Sequence, residues 1–149
     1  MTNTLYVKNR DKWRQWLESN AAIEKDIWLI YYKKHTKKPT IAYPDAVEEA
    51  LCFGWIDSTV KRIDEERYMQ WFLPRKKTSK WSFLNKERAE RMIKQNKMTE
   101  QGMKLIDEAK ENLVKHMNRH YRRKFFREAY KESKKVTNYT KPKKRRKKR

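Results

Sequence analysis

The residues with the clearest chemical potential lie in the stretch WIDS, just after a helix-forming segment. Asp57 offers a carboxylate and Ser58 a hydroxyl, and both follow Gly54, a residue that readily adopts the positive φ that ends a helix. No histidine stands near Ser58 to activate it and no GxSxG motif surrounds it, so a nucleophilic triad is not indicated. Three interpretations stay open for this stretch: an active site, a ligand-binding surface, or a plain helix-to-strand connection.

A second group of candidates lies in the basic and aromatic segment WFLPRKKTSKWSFLNKERAER. Trp81 stands close to Arg75 and three lysines, and the serine after Trp81 is a typical N-cap. The N–H groups and dipole of a helix N-terminus favour anions, and Asn85 and Arg88, at i and i+3, are within reach of the same anion. The segment therefore predicts an anion site. The alternative is that Trp81 anchors the loop on the core while the lysines are merely solvated.

Metal and disulfide chemistry are not indicated. The single cysteine, Cys52, has no partner for an intramolecular disulfide and is interpreted as a buried structural thiol. His116 and His120 stand at i and i+4, but in a basic stretch without an acid to complete a metal site. The sequence predicts neither a metal nor a cofactor.

Hydrophobic patterning predicts the elements that position these residues. Strand-like runs occur in TLYVKN, DIWLIYYKK, WIDSTVKRI and RYMQWFL, and capped helical segments accompany them. The predicted order is β-α-β-α-β-β-α-α, an α+β fold in which a small mixed sheet of about four strands packs with four helices. The nearly continuous apolar run 27–32 predicts a central strand that is buried on both faces.

Charge divides the chain into a body and an arm. The net charge is +21, of which residues 111–149 contribute +14 through 17 Lys+Arg and 3 Asp+Glu. We expect an α+β domain over 1–110, a basic amphipathic helix over 111–133 and a disordered Lys/Arg-rich tail over 134–149. Such an arm attracts nucleic acid through counterion release, unless it only improves solubility. The candidate nucleic-acid-binding residues of the tail are Lys143, Lys144, Arg145, Arg146, Lys147, Lys148 and Arg149.

Targeting signals and membrane spans are not indicated. The N-terminal residues lack the apolar core of a signal peptide, and no apolar run has the length of a transmembrane helix. We therefore expect a soluble, cytoplasmic protein.

The body of the chain resembles a known family. It contains, in this order, LYVKNRDKWRQWLESN, IWLIYYKKHT, AVEEALCFGWIDS, KRIDEERYMQWFLPRKKTSKWSFLNKERAERMI and MTEQGM. These segments, within residues 4–110, resemble the bacteriocin-protection family, also called YdeI/OmpD-associated. The resemblance implies an intracellular protein linked to resistance against bacteriocins and cationic antimicrobial peptides, and it brings no established catalytic residues. Many members continue into a further helical module where this chain has its basic arm.

Together, the residues and the resemblance predict a shallow pocket at one end of the strand pair. Arg75 and Arg88 would hold an anionic group, Asp57 would orient one of these arginines, and Trp55 or Trp81 would form a wall. No cofactor is expected to complete this pocket.

An ion pair between Asp57 and Arg62 that serves only the structure is the alternative for these two residues. The full set of candidate ligand-binding residues is Trp55, Asp57, Ser58, Arg62, Arg75, Trp81, Asn85 and Arg88.

Three functions are compatible with these features. The first is a non-catalytic stress-resistance protein of the bacteriocin-protection type that binds an anionic small molecule or an acidic polymer, because a cationic protein repels cationic peptides. The second is a nucleic-acid-associated protein that uses the arm, with exposed tryptophans stacking on unpaired bases. The third is an enzyme acting on an anionic metabolite, for which no nucleophile–base pair or metal constellation is visible.

Overall fold

The computed structural model describes residues 3–116, with side chains described up to residue 111. The elements are β1 (Thr4–Tyr6), α1 (Arg10–Asn20), β2 (Ile27–Tyr32), a short 3₁₀ helix (Lys34–Thr36), α2 (Tyr43–Cys52), β3 (Trp55–Arg62), β4 (Arg67–Pro74), α3 (Phe83–Lys94) and α4 (Glu100–His116). The predicted α+β class and element order are confirmed.

The predicted arm falls almost entirely outside this part of the chain. Residues 1–111 form one compact unit. The backbone of α4 continues to His116, but the rest of the predicted helix over 111–133 and the whole tail over 134–149, including the lysines and arginines at 143–149, lie outside the described residues.

The four strands form one mixed sheet in the order β1-β2-β4-β3, in which β1 is parallel to β2 and the other pairs are antiparallel. The predicted central position of β2 is therefore confirmed. Its predicted burial on both faces is wrong, since buried and half-buried residues alternate along it. The half-buried residues, Trp28, Ile30 and Tyr32, share the sheet face that points away from the core.

The core lies on the other face, between the sheet and the first two helices. Trp13 of α1 is fully buried, packs edge-on against Phe72 of β4, and donates its indole N–H to the Ala46 carbonyl oxygen at 3.0 Å. Leu17, one helical turn further on, is also fully buried, so both residues lie on the helix face that packs on the sheet. Large rings thus supply much of the buried apolar area in a chain with few aliphatic residues.

A partly buried ion-pair network, centred on the fully buried Glu49, joins α1 and α2 to the segment after α3. Glu49 of α2 is 1% exposed and receives Arg10 at 2.7 Å, Arg14 at 2.8 Å and Lys97 at 3.4 Å. Burial alone would raise the pKa of Glu49, but hydrogen bonds from Arg14 and Arg10, together with the charges of Arg10 and Lys97, outweigh burial and hold the pKa below its ordinary value. The carboxylate is thus a packing centre that ties three cationic side chains together.

Two glycines fix the junction between α2, β3 and α4. Gly54 has φ of 75°, so the predicted helix end is confirmed, and its carbonyl oxygen accepts a hydrogen bond from the Arg75 backbone N–H at 2.8 Å. Gly102 of α4 lies against the end of α2, where an added Cβ would stand 2.6 Å from the Cys52 carbonyl oxygen. The backbone contact at Gly54 brings the start of the basic loop next to the first residue of β3.

Within residues 3–116, none of the helices combines the length and the apolar character that a membrane crossing requires.

Candidate functional site

A cavity of about 540 Å³ lies where the open end of the β3–β4 pair meets the loop that leads into α3. The loop leaves β4 at Pro74 and reaches α3 through Ser82, whose hydroxyl accepts the Asn85 backbone N–H at 3.2 Å as an N-cap. The cavity is lined by Ile56, Asp57, Ser58, Trp71, Leu73, Pro74, Arg75, Lys76, Ser79, Lys80, Ser82 and Asn85.

Four of the candidate residues line this one cavity: Asp57, Ser58, Arg75 and Asn85. A β-bulge accounts for part of this convergence, because β3 has one extra residue between the pairs that Asp57 and Val60 make with β4. Bulges re-aim side chains at the ends of sheets. The predicted pocket at this end of the strand pair therefore has a physical counterpart.

Trp81 and Arg88 lie beside the lining. The Arg75 guanidinium carbon is 3.9 Å from the centre of the Trp81 ring, a close cation–π contact. Arg88 is 7% exposed and donates from Nη1 to Asn85 Oδ1 at 3.0 Å. The two arginines are thus linked to the same cavity: Arg75 lines it, and Arg88 holds the Asn85 side chain that lines it.

Two candidate residues do not belong to the cavity. Trp55 is 1% exposed and donates its indole N–H to the Ala21 carbonyl oxygen at 3.2 Å, so it is a core residue and not a wall. Arg62 lies at the far end of β3, opposite Tyr68, and donates from Nε to the Asp64 carbonyl oxygen at 3.1 Å. Arg62 therefore takes no part in the cavity.

Asp57 binds neutral partners instead of an arginine. Its Oδ2 accepts the Tyr43 hydroxyl at 2.9 Å and Gln70 Nε2 at 3.0 Å, and the buried Tyr31 hydroxyl donates to Gln70 Oε1 at 3.2 Å. The alternative of an Asp57–Arg62 ion pair is wrong, since Arg62 donates to the Asp64 carbonyl oxygen instead. Asp57 acts on Arg75 only through its charge, without a direct hydrogen bond among the described residues. The carboxylate instead ends a chain of polar contacts that leads out of the core.

Unpartnered polar atoms cluster at this cavity. Within the described part of the chain, five buried side-chain nitrogen or oxygen atoms have no hydrogen-bond partner: Glu108 Oε2, Trp71 Nε1, Arg75 Nε, Arg75 Nη1 and Ser79 Oγ. The last four belong to residues that line the cavity, and all four can donate a hydrogen bond. A buried polar group without a partner costs about 1–3 kcal/mol, so such atoms are rare in folded proteins.

Arg75 carries the charge of this donor set. It is 7% exposed, and its one hydrogen bond from the side chain runs from Nη2 to the Lys80 carbonyl oxygen at 2.8 Å. Burial lowers the pKa of Arg75 below its ordinary value, and the charge of Asp57 opposes that change. The guanidinium has therefore lost most of its water and has gained neither a carboxylate at salt-bridge distance nor a full set of acceptors.

These unpartnered donors can bind a group that is rich in hydrogen-bond acceptors. Its donors are an indole N–H, two guanidinium positions and a hydroxyl, and Lys76 and Lys80 add positive charge at the same lining. The lining contains no histidine or cysteine. Cys52 is fully buried, and burial raises the pKa of its thiol to about 11, which confirms the predicted structural role.

Two members of the set, Trp71 and Ser79, were not among the predicted ligand-binding residues. Trp71 opened the basic and aromatic segment, but strand alternation did not indicate that its N–H would lack a partner. Ser79 carries no local signal, since its position depends on how the loop folds back over the sheet.

Among the described residues, no group of three or more His, Cys, Asp or Glu side chains could hold a metal ion.

The chain forms a small α+β domain whose core lies on one face of its sheet and whose cationic cavity lies at the end of that sheet. The chain belongs to a family described as a domain of unknown function, DUF8412, whose model matches residues 5–105. No curated protein and no solved structure matches the chain. The resemblance to the bacteriocin-protection family stays a prediction.

Proposed function

We propose that this chain is a non-catalytic binding protein that holds an anionic group in the cavity between the β3–β4 end and the loop before α3. The observation that supports the proposal most strongly is the convergence of four unpartnered buried donor atoms, on Trp71, Arg75 and Ser79, at one cavity. An occupant rich in acceptors would satisfy these donors and would replace the water that the guanidinium has lost.

The donor set favours an anion that is part of a larger molecule. A cavity of about 540 Å³ is within the range of small-molecule sites, which is roughly 300–1,000 Å³. Ile56, Leu73 and the Trp71 ring supply apolar lining next to the donors. An organic molecule with one carboxylate or phosphate group matches both parts of this lining.

The cellular role that we propose is resistance to bacteriocins or cationic peptides from within the cytoplasm, as the resemblance implies. A chain with net charge +21 repels cationic peptides, so protection would pass through the anionic ligand or partner. Survival of bacteria with and without the chain, challenged with a cationic peptide, tests this role. Equal survival would contradict the role and would leave the binding proposal standing.

Calorimetric titration of the full chain with inorganic phosphate, pyrophosphate and citrate tests the binding proposal. Arg75→Met keeps an apolar stem in place but removes the buried charge, and we expect it to weaken binding at least tenfold, about 1.4 kcal/mol, as for a charge-assisted contact. Lys104→Met removes the same charge from an exposed position on α4 and serves as the matched control.

The control separates a site from general electrostatics. We expect Lys104→Met to bind within about twofold of the unmodified chain, because exposed charges are screened by salt. Equal weakening by both variants, or no binding of any of the three probes, would contradict the proposal.

A second proposed function, association with nucleic acid through the arm, rests on the +14 charge of residues 111–149. Binding by the arm would be insensitive to sequence and to strandedness and would fall steeply with salt. Gel shifts of the full chain and of a chain ending at residue 133, at two salt concentrations, test it. Unchanged binding after removal of the tail would contradict a role of residues 134–149.

A further inference from the structure

The face of the sheet that points away from the core is aromatic and apolar. Directly opposite residues in a sheet share one face, so the pairs Trp28↔Trp71 and Ile30↔Met69 lie on one side of β2 and β4. All four residues are half-buried, as are Tyr32 and Leu73 at the two ends of this face. We call these residues, together with Tyr6, Lys38 and Lys61, the outer face.

The outer face departs from the usual composition of a solvated sheet surface. An antiparallel sheet with one packed face normally places polar residues on the other. Here the side away from the core carries tryptophans, tyrosines, isoleucine and methionine. An apolar and aromatic composition on the outward side of a sheet favours a binding surface over a merely solvated one.

The rings of the outer face form two pairs, each with a lysine above it. Trp28 and Trp71 stack with centroids 5.9 Å apart and an angle of 13°, and Lys61 Nζ is 4.8 Å from the centre of the Trp28 ring. Tyr6 and Tyr32 meet edge-on at 5.1 Å, and Lys38 Nζ is 4.8 Å from the Tyr32 ring.

We propose that the outer face binds single-stranded nucleic acid. Unpaired bases stack on aromatic rings whatever their sequence. A base would displace the lysine that lies over a ring, and the displaced ammonium group would pair with the adjacent phosphate. Trp28 and Tyr32 stand four residues apart on β2, about 13 Å along the strand, so the two ring pairs provide separate stacking positions. A duplex keeps its bases stacked inside and cannot use these rings.

The charges on the outer face favour single-stranded nucleic acid and indicate which end of the face contributes most to binding. At the tyrosine end, Lys38 forms an ion pair with Glu66 at 3.2 Å. Arg67, directly opposite Tyr32, forms one with Asp64 at 2.7 Å, so the positive charge at this end is partly neutralised. Lys61 is exposed, and its described contact is with the Trp28 ring. Next to Trp71, the cavity lining adds further cations. The excess positive charge therefore lies at the tryptophan end, where we expect the strongest contribution.

The test measures binding of the full chain to a short fluorescently labelled oligothymidylate and to a duplex of the same length, by anisotropy and by quenching of tryptophan fluorescence. We expect Trp28→Leu to weaken binding of the single strand about tenfold, the loss of one stacked base, and to leave binding of the duplex unchanged. The melting temperature of each variant shows whether it is folded.

A matched pair of charge reversals keeps the test decisive if Trp28→Leu fails to fold. Lys61→Glu reverses a charge on the outer face, whereas Lys12→Glu reverses one at an exposed position of α1, the helix that packs on the opposite face. We expect Lys61→Glu to weaken binding of the single strand at least fivefold more than Lys12→Glu does, the weakening expected when a phosphate contact is lost.

Three results would overturn the proposal: no binding of the single strand, equal affinity for single strand and duplex, or equal effects of Lys61→Glu and Lys12→Glu. The last two would assign the affinity to general charge and the arm. None of these variants removes a donor of the cavity, so failure here leaves the proposed anion site standing.

Discussion

Two serines at the cavity should respond to the same substitution in opposite ways. Ser79 Oγ is buried without a hydrogen-bond partner, whereas Ser82 Oγ accepts the Asn85 backbone N–H at 3.2 Å and caps α3. Replacing each serine by alanine removes one hydroxyl from the same loop. The chemical change is identical, and the two positions differ in whether the hydroxyl has a hydrogen-bond partner.

The magnitudes follow from these two environments. Loss of an N-cap costs about 1 kcal/mol, so we expect Ser82→Ala to lower the free energy of unfolding by that amount. Removal of an unpartnered buried hydroxyl relieves a desolvation penalty, so Ser79→Ala should leave the free energy of unfolding unchanged or raise it by up to about 1 kcal/mol. For a chain of this size, each kcal/mol moves the melting temperature by roughly 2–4 °C.

Urea unfolding followed by tryptophan fluorescence, without and with a saturating anion, measures both effects. An anion that uses the Ser79 hydroxyl stabilises the unmodified chain more than it stabilises Ser79→Ala. Any advantage of Ser79→Ala in the free energy of unfolding should therefore shrink or reverse when the anion binds. Equal destabilisation by Ser79→Ala and Ser82→Ala in the absence of anion would show that the Ser79 hydroxyl has a partner and would refute the reasoning.

Two further predictions concern the packing of α2. Glu49→Gln should cost about 3 kcal/mol at neutral pH because it removes the fully buried carboxylate that Arg10, Arg14 and Lys97 share, whereas replacement of the exposed Glu18 by Gln should cost less than about 1 kcal/mol. The folded-state pKa of Glu49 lies below its ordinary value of 4.5, so the stability that Glu49 contributes is present above that value and is lost as pH falls through the folded pKa. Denaturation midpoints of the unmodified chain and Glu49→Gln across acid pH check this. A difference between the two midpoints that does not change with pH would contradict it. Gly102→Ala should destabilise the chain by about 1–3 kcal/mol because the new Cβ meets the Cys52 carbonyl oxygen; an unchanged urea midpoint would disprove the close approach.

Local signals in the sequence predicted the elements and their ends well. Gly54 ends α2 and Ser82 caps α3 as expected, because both effects depend on a few neighbouring residues. Trp55 and Asp57 share one face of β3, as regular strand alternation requires, since their partners on β4 are Pro74 and Phe72.

The predictions were wrong where contacts between segments far apart in the sequence determine the environment of a residue. Trp55 is covered by the end of α1, where Ala21 accepts its indole N–H, so one residue of the predicted wall became core. Glu49 became a buried centre because Arg10 and Arg14 approach it from more than thirty positions earlier in the chain. No local rule in the sequence specifies such pairings.

Part of the candidate site was predictable for a different reason. Arg75 and Asn85 share a short loop and the first turn of α3, so their proximity follows from chain length alone. The absence of partners for Trp71 and Ser79 was not predictable, because it depends on the full set of acceptors that the folded loop brings near them.

The two outermost strands of the sheet are poor templates for pairing with another chain. β1 has only three residues, and β3 carries a bulge between Asp57 and Val60 that interrupts its regular ladder. Short and bulged edges are common devices against aggregation through added strands. The sheet can therefore carry an aromatic outer face with little tendency to extend edge to edge into fibrils.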